Sequence, residues 1–116
     1  MKVKLKIGDK DIIAKINDSA AAKDFISLLP LTLPVEDFGG REKICYLPRK
    51  LSTKGAPSGC DPDVGDVTYY APWGNLAIFY KDYGYSNGLI ALGKIESGIE
   101  ALNVSGNVKM TIEIVK

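Results

Sequence analysis

The sequence predicts an all-β protein with one or two short helices, folded as a closed antiparallel β-barrel. Three observations support this: about eight short apolar runs typical of strands, turn residues between them every few positions, and one clear helical segment. Many short strands favour a closed barrel, because closure removes the exposed edges that promote aggregation. We expect the 116 residues to form a single domain.

The N-terminal part of the chain predicts a hairpin followed by a helix. Residues 2–7 alternate lysine with aliphatic side chains, which is the period-two pattern of a half-buried strand. After a Gly-Asp-Lys turn, Asp11–Ile16 predicts the returning strand. Residues 17–19 supply an N-cap, and apolar side chains at helical spacing predict a helix over 19–29 that Pro30 ends.

The middle of the chain predicts two strands and one long loop. Leu31–Leu33 is a short extended piece closed by Pro34, and Glu42–Leu47 is the next strand. The stretch from Pro48 to Asp66 has no periodicity and contains three prolines and three glycines. Irregular segments of this length in compact domains commonly carry function.

The rest of the chain alternates strands with turns. The expected elements, in order, are strands at Val67–Tyr70 and Leu76–Tyr80, a turn-rich connector at Lys81–Gly88, a strand at Leu89–Ile95, a short helix at Ser97–Leu102 and a final strand at Val108–Val115.

Composition excludes several classes of function. The net charge of +1 is too small to favour binding to nucleic acid or to an acidic membrane. The N-terminus lacks the continuous apolar run of a signal peptide or membrane helix, so we expect a cytoplasmic protein. The chain has no histidine, which removes Ser-His and Cys-His catalysis and histidine-ligated zinc. Cys45 and Cys60 are expected to be reduced and inert thiols.

We expect neither a metal nor a cofactor. Asp61, Asp63 and Asp66 superficially suggest a calcium loop, but the spacing and the terminal glutamate of an EF-hand are missing.

Three strings of this sequence resemble cyclophilins. VKLKIGDKDIIAKINDSAAAKDFISLL is similar to the opening hairpin and first helix of that family, and Gly65-Asp66 to the Gly-Asp before a central strand. In GLIALGKIESGIEAL, residues 92–95 stand where cyclophilins have Phe-Gly-Lys-Val. The whole chain also resembles a group of small bacterial and archaeal cyclophilin-like proteins, which implies a cyclophilin-like barrel over residues 1–116.

The resemblance implies a candidate for prolyl isomerase chemistry. Rotation about an X–Pro bond faces a barrier of about 20 kcal/mol. Its catalysis requires an apolar pocket and a fixed donor near the proline nitrogen. Arg49 follows the strand that is similar to the one preceding the cyclophilin arginine, so it is the candidate catalytic residue. The alternative is a loop arginine paired with Asp61, Asp63 or Asp66.

Most other pocket residues of the classical enzymes are missing. The loop 56–64 has no aromatic residue and no glutamine, and Leu76–Phe79 lacks the glutamine of the corresponding family strand. Where the family has tryptophan and histidine, only Tyr83 and Tyr85 remain. These losses argue against isomerase activity.

An aromatic groove is nevertheless predicted near the long loop, because aromatic walls with a few polar groups are typical of ligand sites. Its candidate residues are Tyr46, Trp73, Phe79, Tyr80, Tyr83 and Tyr85. For Trp73, Phe79, Phe25 and Tyr69, the alternative is a simple core position; Trp73 is hardest to bury, because it lies on a Pro-Trp-Gly turn.

The leading hypothesis is a binding module for a small molecule or a short, Pro-containing peptide. The alternatives are a weak prolyl isomerase that uses Arg49 and an accessory protein-interaction domain.

Overall fold

The computed structural model describes residues 1–104 and 107–115 and is built mostly of strands. In chain order the elements are β1 (Lys2–Ile7), β2 (Lys10–Ile16), α1 (Ala20–Ser27), β3 (Leu31–Phe38), β4 (Glu42–Tyr46), β5 (Gly59–Cys60), β6 (Asp66–Tyr70), β7 (Asn75–Phe79), β8 (Ser86–Asn87), β9 (Leu89–Ser97), a 3₁₀ helix (Ile99–Leu102) and β10 (Val108–Val115).

Eight of these strands close into an antiparallel barrel in the order β1-β10-β3-β4-β7-β6-β9-β2. The predicted hairpin is confirmed, with Val3 opposite Ala14 and Leu5 opposite Ile12. The lysines between these apolar residues point outward, as the alternation predicts. The predicted all-β barrel is therefore the fold of the protein.

The helix packs against the barrel interior. It begins after Ser19, whose hydroxyl accepts a hydrogen bond from the Ala22 amide at 3.2 Å, the usual N-cap contact. Ala21, Ala22 and Phe25 are buried in the same cluster as the inward side chains of the strands. Within the described residues, no helix is long and apolar enough to cross a membrane.

β3 is longer than the sequence predicts. It continues through Pro34, which lies opposite Lys109 of β10, and ends at Phe38. Proline cannot donate to a neighbouring strand, so a central strand normally excludes it. Pro34 is tolerated because pairing of β3 with β4 begins only at Glu36, so β3 has one barrel neighbour at that position.

The long loop contains a short pairing that the sequence did not predict. Gly59 and Cys60 form β5, which pairs with Asn87 and Ser86 of β8. This ribbon joins the 48–66 segment to the 81–88 connector. Both cysteines are free: Cys45 is buried, which raises the pKa of its thiol to about 12, and Cys60 is half-buried.

β4 and β7 are buried on both faces, unlike the hairpin strands. One face points into the barrel with Cys45, Leu76 and Ile78. The other face belongs to a second apolar cluster made of Ile44, Ala77, Phe79 and Leu89. This second cluster lies outside the barrel interior and forms the base of the site described next.

Candidate functional site

The site is built on the outward face of β4 and β7. Strand alternation places Glu42, Ile44 and Tyr46 on one face of β4, and the ladder sets them opposite Phe79, Ala77 and Asn75 of β7. The side chains of these pairs are close enough to form one continuous surface. Its centre is the apolar Ile44–Ala77 pair.

A cavity of about 240 Å³ opens on this surface. Five of the nine residues that line it are aromatic and none is basic; the nine are Phe38, Glu42, Tyr70, Trp73, Asn75, Phe79, Tyr83, Ser86 and Leu89. A concave, mostly apolar site with a few polar groups is the usual form of a small-ligand site.

The aromatic walls are held by edge contacts between rings. The Trp73 ring packs edge-on against Phe38 at 5.6 Å between centroids and against Tyr70 at 5.3 Å. On the other side of the cavity, the rings of Phe79 and Tyr83 are 5.5 Å apart. Such pairs are favourable geometries for aromatic rings. Trp73 and Tyr83 are still 50% and 46% exposed, so these rings leave the cavity open to solvent.

Asn75, one of the lining residues, has a side-chain acceptor without a hydrogen-bond partner in the described part of the chain. Its side chain is only 1% exposed, and its Nδ2 donates to the Leu76 carbonyl oxygen at 2.9 Å. Since a carbonyl can only accept, this contact fixes which amide atom is nitrogen. Oδ1 is fully buried and has no hydrogen-bond partner within the described part of the chain. A buried acceptor of this kind costs free energy until a donor reaches it.

Glu42 places a carboxylate in the same lining. It is 8% exposed, and among the described residues no cation or hydrogen-bond donor contacts its carboxylate. Burial raises the pKa of Glu42, and the negative charge of Asp37 raises it further. A cation that enters the cavity can pair with this carboxylate.

Asp37 is a firmly ionised neighbour of this carboxylate. The Tyr80 hydroxyl donates to it, the Gly40 amide donates at 2.9 Å, and Lys43 Nζ lies 3.3 Å away. These contacts, with the Tyr80 hydrogen bond foremost, lower the pKa of Asp37, and the same bond raises the pKa of Tyr80 to about 12. The nearby cation, Lys43, is therefore engaged by Asp37 and by the Val104 carbonyl oxygen at 2.9 Å.

The structure brings together three of the aromatic residues named from the sequence. Trp73, Phe79 and Tyr83 all line the cavity. Tyr46 lies on the same face of β4 but is exposed outside the lining. Tyr85 is exposed, and its hydroxyl lies 3.4 Å from Ser58 Oγ.

Tyr80 lies over Lys43 rather than in the cavity, with the ammonium 5.5 Å from the ring centroid. The expected core positions of Phe25 and Tyr69 are observed, and Phe79 is both buried and part of the cavity wall.

Arg49 is not brought to the cavity. Its guanidinium donates to both carboxylate oxygens of Asp24 on α1, at 2.7 and 3.0 Å. The expected alternative partners were wrong, because Asp63 and Asp66 face Lys94 instead. Asp24 is 25 residues away in the chain, and only the packing of α1 places it beside the long loop.

Sequence reasoning missed the polar part of the site. Glu42 begins β4 and Asn75 begins the otherwise apolar β7, at positions whose alternation places them on the outward face. A polar residue at a buried strand position was the signal that could have identified them. Phe38 was missed because β3 was expected to stop before it.

A closed eight-stranded antiparallel barrel, with one α-helix in the described part of the chain, is consistent with a cyclophilin-like fold. This chain belongs to the Cyclophilin-like family, whose sequence profile matches residues 5–113. The resemblance seen in the sequence strings is thereby confirmed.

Among solved structures, the fold is similar to that of the hypothetical protein AF2241 from Archaeoglobus fulgidus, determined in solution. The TM-score is 0.71 at 15% sequence identity, and the match covers 97% of this chain and 93% of that one. At this identity the likeness shows a shared fold. No curated protein matches the sequence significantly.

Proposed function

We propose that this protein is a binding module that holds a small molecule or the side chain of a short peptide in the cavity beside β4 and β7. The observation that carries the proposal is the exposure of three large rings around an open hollow. Phe38, Trp73 and Tyr83 are 41%, 50% and 46% exposed. Leaving these rings solvated costs hydrophobic free energy that a bound apolar group would recover.

The cavity volume supports a small ligand. About 240 Å³ is slightly below the range typical of drug-sized ligands, so the site fits one ring system or one side chain. A peptide would insert a single residue, and its backbone would lie across the exposed aromatic rim.

Titration of an isotope-labelled sample tests the proposal. Xaa-Pro peptides and a library of small aromatic metabolites are added while the amide chemical shifts are followed. We expect saturable shifts at Trp73, Phe79 and Tyr83. Trp73 is the one tryptophan in the sequence, so its fluorescence gives an independent binding curve.

A matched pair of variants locates the site. Trp73→Ala removes a wall of the cavity, whereas Tyr46→Ala removes an exposed ring on the same sheet face outside the lining. Binding should weaken at least about tenfold in the first variant and stay unchanged in the second. Absence of any shift at the cavity across the library, or equal loss in both variants, would overturn the proposal.

The position of Arg49 favours binding over isomerisation. Isomerase chemistry requires a donor beside the apolar pocket, and the Arg49 guanidinium is engaged by Asp24 and by Ser27 Oγ at 3.2 Å. A coupled assay on an Ala-Pro peptide separates the two functions. Turnover that is lost in Arg49→Ala would favour the isomerase instead.

A further inference from the structure

We infer that the ligand of this cavity is a small organic cation with a flat apolar body, whose protonated nitrogen pairs with Glu42. This inference rests on the proposed binding function and specifies its ligand class.

The charge of the lining supports a cation. Glu42 is the one ionic residue among the nine that line the cavity, and Asp37 adds a second negative charge nearby. An anionic ligand would be repelled by this negative charge. The ring faces of tryptophan, tyrosine and phenylalanine also attract cations, so the aromatic walls act in the same direction as the carboxylate.

The carboxylate of Glu42 supports a ligand that donates hydrogen bonds. A carboxylate can only accept, and no hydrogen bond or ion pair joins Glu42 to a side chain within residues 1–104 and 107–115. A protonated amine with N–H groups can form a charge-assisted hydrogen bond with it, whereas a quaternary ammonium cannot. Asn75 Oδ1 has no accessible surface, so the cavity does not offer it to a ligand.

Three matched probes test the cation. Tyramine carries an ammonium and a phenol on one ring, phenethylamine carries only the ammonium, and 4-ethylphenol carries only the phenol. Calorimetry and amide shifts give Kd for each. We expect tyramine and phenethylamine to bind at least about tenfold more tightly than 4-ethylphenol, since hydrogen bonds to charged groups are the stronger kind.

A matched pair of variants assigns the contact to Glu42. Glu42→Gln should weaken tyramine and phenethylamine at least about tenfold and leave 4-ethylphenol unchanged. Glu100→Gln, at an exposed position of the 3₁₀ helix outside the lining, makes the same change in net charge and should alter nothing. Unchanged binding of 4-ethylphenol shows that the Glu42→Gln variant is folded.

The pH dependence provides a further test. Affinity for the cationic probes should fall as pH drops through the raised pKa of Glu42 and should become flat in Glu42→Gln. The titratable groups around this carboxylate are Asp37 from β3 and the Tyr70 and Tyr83 hydroxyls in the lining. Asp37 has a lowered pKa and stays ionised through this range.

The outcomes distinguish the two proposals. If none of the probes and none of the library compounds shifts the cavity amides, the binding function itself fails. If 4-ethylphenol binds as tightly as tyramine, or Glu42→Gln leaves the amines unaffected, the cavity binds ligands but the cation inference is wrong.

Discussion

The hydroxyl of Tyr69 accepts a hydrogen bond from the backbone amide of Leu51 at 3.0 Å, and both residues are buried. Tyr69 belongs to β6 and to the barrel core, whereas Leu51 lies in the segment between β4 and β5. This single contact ties the start of the long loop to the barrel. The loop is therefore anchored by core packing as well as by the β5–β8 ribbon.

Tyr69→Phe should destabilise the protein, because it leaves the buried Leu51 amide without an acceptor. We expect the free energy of unfolding to fall by about 1–3 kcal/mol, measured by urea denaturation. Tyr46→Phe removes a hydroxyl at an exposed position and should change stability by less than about 0.5 kcal/mol. Equal effects of the two substitutions would show that the contact contributes nothing.

Asp24 should make the stability of the fold sensitive to acid. The bidentate contact with Arg49, followed by the Ser52 amide that donates at 2.7 Å, lowers the pKa of Asp24 from 3.8 to about 2. A folded-state pKa below the unfolded value stabilises the fold above pH 3.8, and this contribution is lost as pH falls toward about 2.

Asp24→Asn should therefore be less stable than the wild type near neutral pH, and the two should converge in acid. Urea midpoints measured over a series of pH values give this difference directly. A difference that does not shrink between pH 3.8 and about 2 would show that the carboxylate charge is not responsible.

Gly93→Ala should disrupt the barrel. A Cβ at Gly93 would collide with the carbonyl oxygen of Lys15 and lie 3.0 Å from Ile16 Cα on the neighbouring strand β2. Backbone atoms cannot yield without breaking the β2–β9 pairing, so we expect a loss of about 2–3 kcal/mol or more in unfolding free energy. Lys6→Ala, at an exposed strand position, should cost less than about 0.5 kcal/mol in the same urea assay.

Glu42→Gln should stabilise the unliganded protein at neutral pH. The pKa of Glu42 is raised in the fold, so the protonated form is favoured there. Stability is then highest below the unfolded pKa of 4.5 and is lost as pH rises through the folded value.

A neutral amide at position 42 does not ionise, so the variant keeps the stability that the wild type loses as pH rises. Thermal unfolding of Glu42→Gln at pH 7 should therefore show a higher Tm. Glu100→Gln is the matched exposed control and should leave Tm unchanged. A lower Tm in Glu42→Gln would mean that the carboxylate has a stabilising partner.

Local sequence pattern predicted most of the barrel. The period-two alternation in β1 and β10 and the N-cap of α1 depend only on neighbouring residues, so their positions could be read directly from the chain. The same reasoning failed at β3, because it treated Pro34 as the end of a strand. Whether proline ends a strand depends on which neighbour lies beside it, and that is a property of the sheet.

The candidate site was only partly predictable, because it too depends on which strands and helices pack together. Trp73, Phe79 and Tyr83 were named from their residue type and from turns nearby. Arg49 was assigned by likeness to a strand end, and the fold instead pairs it with Asp24 on a helix far earlier in the chain.

By itself, the sequence determined the fold class, the family and most of the strand positions, because alternation and turn chemistry act over a few residues. Only the tertiary structure decided which side chains share the cavity. Glu42 and Asn75 are 33 positions apart in the chain. Both line the cavity because β4 pairs with β7 in a particular register. No tight turn joins β4 to β7, so the register of this pair depends on how the whole barrel packs.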